Sequence, residues 1–304
     1  MSPDTEAASV QERLDLAPPL PLAGRGHDSG GWRLLRFLVR RPGLVLALLV
    51  VAALVVAAFW PEVFTGRDPL RGVPAEILRP PSAAHWFGTD ELGRDLFARV
   101  VHGARVSLRA TLVAVAVAFV VGGGLGLVAG FVGGPVESVL MRIVDVLLAV
   151  PGLFLSLAVV TALGRGTMPV ALAVGVAGVA GFARVTRAEV LRVRHAEYVE
   201  AARLGGARWY SVLARHVVRN AAGPVLVLAV LDLGTAVLSV ASLSFLGYGA
   251  PPPAPEWGTL IAHGRDYLSD AWWMSTIAGL VVAAFVLSTH RISRALGGEW
   301  EESR

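Results

Sequence analysis

Residues 197–220 read EYVEAARLGGARWYSVLARHVVRN, a polar stretch set between two long apolar runs. Between positions 184 and 219 there are eight Arg and three Glu, so the segment is strongly cationic. Tyr198, Ala201, Ala202, Trp209, Val212, Leu213 and Val217 recur at helical spacing, and the Arg residues mostly fall between them. Gly205-Gly206 interrupts that pattern, because paired glycines are poor helix formers. The expected structure is a helix, a glycine joint and a second short helix. Two readings stay open at this level. One is an amphipathic helix lying on the membrane surface with Trp209 and Tyr210 as anchors; the other is a solvent-facing docking element.

Composition says what surrounds this stretch. The chain has 304 residues, of which 55% are hydrophobic, and its mean hydropathy of +0.62 marks an integral membrane protein. There is no Cys, which excludes disulfides, thiolate metal sites and a Cys nucleophile. There is also no Lys, since all 27 basic residues are Arg. A phosphate-binding P-loop needs G-x-x-x-x-G-K-[ST], so this chain holds none, and any ATP that drives it binds another polypeptide. The pI of about 10.2 reports Arg clustered near membrane spans rather than nucleic-acid binding, for no aromatic-interleaved basic platform accompanies it.

Downstream of the polar stretch, a fifth span is expected over 221–246, with Asp232 near its middle. An ionised group there costs about 2.5–3.5 kcal/mol on insertion scales. Asp232 therefore either lines a polar path or pairs with a partner inside or beside the bundle. LSFLGYGAPPPAPEWGTL, residues 243–260, leaves the membrane through a stiff proline-rich turn, with Glu256 exposed outside and Trp257, Trp272 and Trp273 at the interface. A sixth span over 273–289 ends at His290, Arg291 and Arg294.

Upstream, residues 1–31 are polar and rich in Pro and Gly, and read as a disordered cytosolic tail without the pattern of a signal peptide. Arg33, Arg36, Arg40 and Arg41 precede a first span over 42–60, which puts the N-terminus inside. Residues 61–105 form an external segment, in which 62–105 carries six Arg against six acids. There Thr89 and Asp90 are candidate caps of a short helix ended by Gly103. Asp90, Glu91, Asp95 and the nearby His residues are candidate metal ligands, with Arg94 and Arg99 placed to neutralise the acids instead. The second span covers 106–131, where Ala114, Ala118, Gly122, Gly126, Gly130 and Gly134 fall every four residues and permit close helix packing. A partial dinucleotide pattern at Gly124, Gly126 and Ala129 is set aside, since no strand precedes it. A third span over 143–163 starts beside Arg142 and Asp145, three apart and able to pair, and holds a candidate kink at Pro151-Gly152. A short fourth span over 168–182 leads back to the cationic loop, taken as 184–220.

Three stretches carry a resemblance. Glu200-Ala201-Ala202, three residues and Gly206, within YVEAARLGGARWYSVLARHVVRN, resembles the EAA loop of ABC importer permeases. HWFGTDELGRDLFARVVHGARVSL, residues 85–108, resembles the FGTDxxGRD region of the C-type subunit of the dipeptide, oligopeptide and nickel permeases, and residues 243–260 resemble the same family. The similarity as a whole covers about 32–287. The chain departs from the family's pattern at Arg219, where a proline is usual, at Val240, commonly glutamate, and in the tail HRISRALGGEWEESR.

The resemblance implies an all-α membrane protein of the type I ABC importer permease fold: six transmembrane helices, a permease domain over 32–304 and a cytosolic coupling helix. It assigns ATPase coupling to Glu197, Tyr198, Glu200, Ala201, Ala202, Gly206 and Arg208, and it leaves Asp145 and Asp232 as intramembrane or pore polar groups. The implied partners are a homologous B-type permease subunit, two cytosolic ABC ATPase subunits holding ATP and Mg, an extracytoplasmic substrate-binding protein and the lipid of a bacterial cell membrane. Both termini would be cytosolic and no cofactor would reside in this chain. The implied solute is a di- or oligopeptide, with nickel or another small solute as the alternative. A secondary transporter or channel is the rival without an ATPase. A membrane hydrolase would need a base beside Ser156, Ser239, Ser242 or Ser244, yet no His lies within a span and no G-x-S-x-G elbow occurs.

Overall fold

A computed structural model describes residues 41–302, with side chains to 298. The expected tail over 1–31 lies outside the described residues. Among the described residues, the unit from Gly43 onward is built of helices joined by turns and irregular segments, the longest over 60–95, and its only β-structure is two isolated bridges, Gly72 to Arg94 and Thr89 to Asp95. Helix α1 is Pro42–Phe59. Helix α2, Leu96–Val132, runs 37 residues through one π-helical turn at Ala118–Gly122. Helices α3, Gly134–Ala149, and α4, Gly152–Leu163, are bent 95° from each other. Helix α5 is Thr167–Arg194 and α6 is Glu197–Leu204. Helix α7, Trp209–Phe245, includes π-helical turns at Val212–Val218; α8 is Trp257–Arg265 and α9 is Trp273–Glu302. Five of these are long and apolar enough to span a membrane, and the bent α3–α4 pair makes a sixth if it counts as one span.

Several boundaries move from the sequence reading, each for a local reason. Asp95, not Thr89 or Asp90, caps α2, its carboxylate accepting the Ala98 N–H at 2.8 Å. Gly103 does not end that helix; it leaves room for Trp257, whose Cδ1 lies 3.2 Å from where a Cβ would stand. Pro151 does more than kink the third span. Val150 is extended before it, as proline demands, and α4 restarts with the Phe154 and Leu155 N–H groups on the Pro151 carbonyl. The fourth helix continues past 182 to Arg194, the fifth begins at Trp209 rather than 221, and the sixth runs past 289. In each case the helix extends beyond the apolar run as a polar stalk, because hydropathy marks where lipid ends and not where hydrogen bonding stops. At about 1.5 Å per residue, α7 is about 55 Å long, against a hydrocarbon core of about 30 Å.

The centre of the bundle is packed from small and branched residues of α2, α5 and α7, among them Ala114, Ala118, Val170, Ala173, Val225 and Leu243. Along the seam between α2 and α5 the glycines admit backbone contact. A Cβ at Gly122 would overlap the Val179 carbonyl oxygen, and one at Gly126 that of Ala183. At Gly130 it would stand 2.8 Å from Val190 Cγ1. Gly134 does not belong to this stripe: it has a φ of +59 and nothing near it, at the turn into α3.

The residues that lead into α2 and α8 form a second assembly, the α8 cap. Trp257 is fully buried, its N–H reaching the Ser107 hydroxyl at 3.1 Å and its indole Nε1 the Val100 carbonyl at 3.0 Å. Glu256 is buried beside it rather than exposed, accepting hydrogen bonds from Ser244 Oγ and the Ala250 N–H, both at 2.6 Å. Trp273 is buried too and donates to the Thr89 carbonyl, so among these tryptophans only Trp272 stands exposed as an interface residue would.

Candidate functional site

The polar stretch folds into a stub at the end of the bundle. Val199 is the single buried residue of α6, packed with Val190 and Val193 of α5 and Val212, Val217 and Ala221 of α7. That one apolar anchor fixes which face of α6 points outward. Glu197, Tyr198, Glu200 and Ala201 are exposed, while Ala202 is half-buried. Glu197 and Glu200 occupy the first turn and Arg203 the last, each complementing the helix dipole. The helix ends in a Schellman motif: the Gly206 N–H bonds the Arg203 carbonyl and the Ala207 N–H the Ala202 carbonyl, at 3.0 and 3.1 Å. Gly206 sits at the left-handed position, φ +79, with open space where a side chain would go. Its requirement for glycine is thus conformational, with no crowding from this chain.

Beyond the joint, Arg208 precedes α7 and its guanidinium donates to the Tyr210 hydroxyl at 2.9 Å. Leu204 is 84% and Trp209 68% exposed, so α6 and the joint present large apolar side chains to their surroundings. The expected second short helix is therefore the first two turns of α7, converted by the π-helical stretch Val212–Val218 into the long helix that follows.

Asp145 and Asp232, both suspected from sequence, occupy different settings. Asp145 pairs with Arg184 of α5 at 2.8 Å, not with Arg142 in its own helix. Two turns earlier in α3, Glu137 pairs with Arg187, whose Nε lies 2.6 Å from its carboxylate. These two bridges tie α3 to the same helix that ends at α6. Asp232 lies in a half-open cavity of about 450 Å³ between the α3–α4 break, α5 and α7. It has no hydrogen-bond or ion-pair partner among the described residues, so pairing across this chain's own bundle is not how it is held. Thr235 and Ser239, three and seven positions on, line the cavity on the same stripe of α7, and Ser156 faces it from α4.

The three acidic candidates in the segment between α1 and α2, Asp90, Glu91 and Asp95, are all paired, chiefly with arginines. Asp90 accepts the backbone N–H groups of Leu92 and Arg94, each at 2.9 Å, and Arg94 Nε at 2.6 Å. Arg99, buried, stands 3.4 Å from the same carboxylate, and Glu91 pairs with Arg94. Asp95 pairs with Arg67 and His85. Among the described residues no group of three His, Asp or Glu is placed to hold a metal. Neither the Glu256–Ser244–Ala250 junction nor the Trp257 anchor was visible in sequence: the first closes across an irregular proline-rich turn, over 12 and 6 residues, and the second meets partners 150 and 157 residues away.

These features define a class: a multi-span membrane protein with a polar helical stub on one end and, within the bundle, a largely apolar half-open cavity that holds one carboxylate and a few hydroxyls. Comparison with known proteins then gives the family. The sequence profile described as "binding-protein-dependent transport system inner membrane component" matches residues 122–299. The chain belongs to this family, the permease components of ABC importers. It is 40% identical to the probable D,D-dipeptide transport system permease protein DdpC of Escherichia coli K12, over 78% of this chain and 79% of that one. It is 38% identical to the di/tripeptide transport system permease protein DppC of Pseudomonas aeruginosa, over 84% of each. Against the glutathione transport system permease protein GsiD of Pectobacterium atrosepticum the identity is 37% over 87% of each. Among solved structures, inward-facing MetNI methionine ABC transporter shares the fold, with a TM-score of 0.51 and 19% identity over 65% of this chain and 96% of that one.

Proposed function

We propose that this chain is one of two permease subunits of an ATP-driven importer of short peptides, with α6 as the element that receives work from a cytosolic ATPase. The reading has the chain pair with a homologous permease. ATP and Mg bind two separate ATPase subunits, and an extracytoplasmic binding protein delivers the solute. Both termini and α6 lie in the cytosol, in keeping with the Arg content of 184–219. The observation that carries the docking role is α6 itself. One buried valine holds it between the ends of α5 and α7, while its acids and the neighbouring Leu204 and Trp209 are left exposed. Exposed Trp, Tyr and Leu beside acidic side chains suit a protein groove with basic groups better than a headgroup surface. Peptide as solute rests on the relatives, which are named for dipeptides, tripeptides and glutathione.

The test is uptake by the complete transporter in vesicles, with and without ATP on the cytosolic side. Glu200→Lys reverses charge on the exposed face, and Gly206→Val forces a β-branched residue into the left-handed position. Each should lower ATP-dependent dipeptide uptake at least about tenfold, equivalent to about 1.4 kcal/mol of docking free energy. Membrane insertion should be unchanged. Uptake that ignores ATP, or that survives both substitutions, overturns the proposal.

A further inference from the structure

The cavity between the α3–α4 break, α5 and α7 contains one ionisable group, Asp232. We infer that Asp232, with the hydroxyls of Thr235, Ser239 and Ser156, forms a transit site for a primary ammonium group, the free amino terminus of the carried peptide. The inference rests on the peptide reading above and names the part of the solute that this cavity meets.

Three observations support it. Asp232 sits eleven residues beyond Ala221, where the apolar part of α7 begins, and thirteen before Phe245, so it lies about midway through the span. A carboxylate at that depth persists where it faces a hydrated cavity or meets a cation. The cavity has no cation of its own and Asp232 has no partner among the described residues, so the counter-charge comes from outside this chain. Second, the α5 wall facing Asp232 is unobstructed. Gly181 lines it with open space where a Cβ would stand, and even a Cβ at Gly178 would only reach ordinary contact, 3.8 Å, with Asp232 Oδ2; what Gly178 makes room for is Ala118. Third, the polar neighbours are acceptors in the right number. Ser239 and Ser156 already donate their hydroxyl hydrogens to the carbonyls of Thr235 and Gly152, at 3.0 and 2.7 Å, which leaves their oxygens to accept. An ammonium carries three donors and no acceptor, and a carboxylate flanked by hydroxyl oxygens matches it. A volume of about 450 Å³ suits passage of one or two residues at a time.

The chain has no cysteine, which makes a charge series practical. In the complete transporter, Asp232→Asn and Asp232→Cys should each lower ATP-dependent uptake of a dipeptide with a free amino terminus tenfold or more. Assembly with the partner subunits and ATPase activity without peptide should stay at wild-type levels. Treating Asp232→Cys with a carboxyethyl thiosulfonate restores a carboxylate and should return most of the uptake. Methyl and aminoethyl reagents should not, and the unsubstituted transporter treated alike sets the reference. Uptake by Asp232→Asn equal to wild type overturns the inference, as does equal uptake for all three adducts. Failure of Asp232→Asn to co-purify with its partners also overturns it, in favour of a fixed pair with the second permease. A wild-type transporter that takes up no peptide under ATP defeats the peptide reading itself, an outcome separable from an active transporter indifferent to position 232.

Discussion

Replacing Glu256 with Ala tests whether the α8 cap is held by its buried carboxylate. Glu256 accepts two hydrogen bonds of 2.6 Å, from the Ser244 hydroxyl at the end of α7 and from the Ala250 N–H in the turn that follows. The two donors do not suffer equally. Ser244 is helical and can turn to its own i−4 carbonyl, as Ser242 does with Leu238 at 2.8 Å. The Ala250 N–H lies in a turn and is left without a partner, at about 1–3 kcal/mol. The lost γ-methylene adds about 0.8 kcal/mol. Relief from burying a carboxylate offsets part of this. The expected net loss is about 2 kcal/mol, which for a chain of this size lowers the melting temperature by about 3 °C. Equilibrium unfolding in mixed detergent–SDS micelles reads the free energy, and a double-mutant cycle with Ser244→Ala isolates the pair. The cycle should give a coupling of at least about 0.5 kcal/mol. A Glu256→Ala protein within about 0.5 kcal/mol of wild type, the range of ordinary surface changes, would refute the reasoning.

The α2–α5 seam invites a paired comparison. Gly126→Val drives a side chain into the Ala183 carbonyl and should destabilise by about 1–3 kcal/mol or more, whereas Gly124, with nothing near its Cβ position, should accept Val with little change. Equal unfolding curves for the two variants would contradict backbone contact along this seam. For topology, single cysteines at Ser82 and Pro251, both exposed, should react with an impermeant maleimide added outside intact cells, and one at Ala207 only after permeabilisation. External labelling at Ala207 would end the cytosolic assignment of α6. Glu256→Cys should react slowly from either side, because that position is buried.

The membrane class, most of the spans and the position of the polar stub were legible in the chain alone, and the reasons are local. Apolar length sets which segments enter lipid, and Arg clusters mark their ends. A pair of glycines after EYVEAARL stops a helix wherever it is placed, and Gly206 takes the left-handed turn that ends α6. The glycine stripe of α2 was visible as spacing for the same reason, since a four-residue repeat of small residues lies on one face of any helix. What covers that face was not visible. That α5 lies on it, that Asp145 pairs with Arg184 rather than Arg142, and that Asp232 opens into a cavity are outcomes of how helices pack. Helix ends beyond the lipid were misjudged because hydropathy is silent once a helix enters water; α5, α7 and α9 all continue as polar stalks. Glu256 and Trp257 show the other limit. In sequence they belong to a proline-rich turn with the composition of an exposed loop. Only tertiary packing brings Ser107, Val100 and Ser244 around them, and it makes an acid and a tryptophan that read as surface into the centre of the α8 cap.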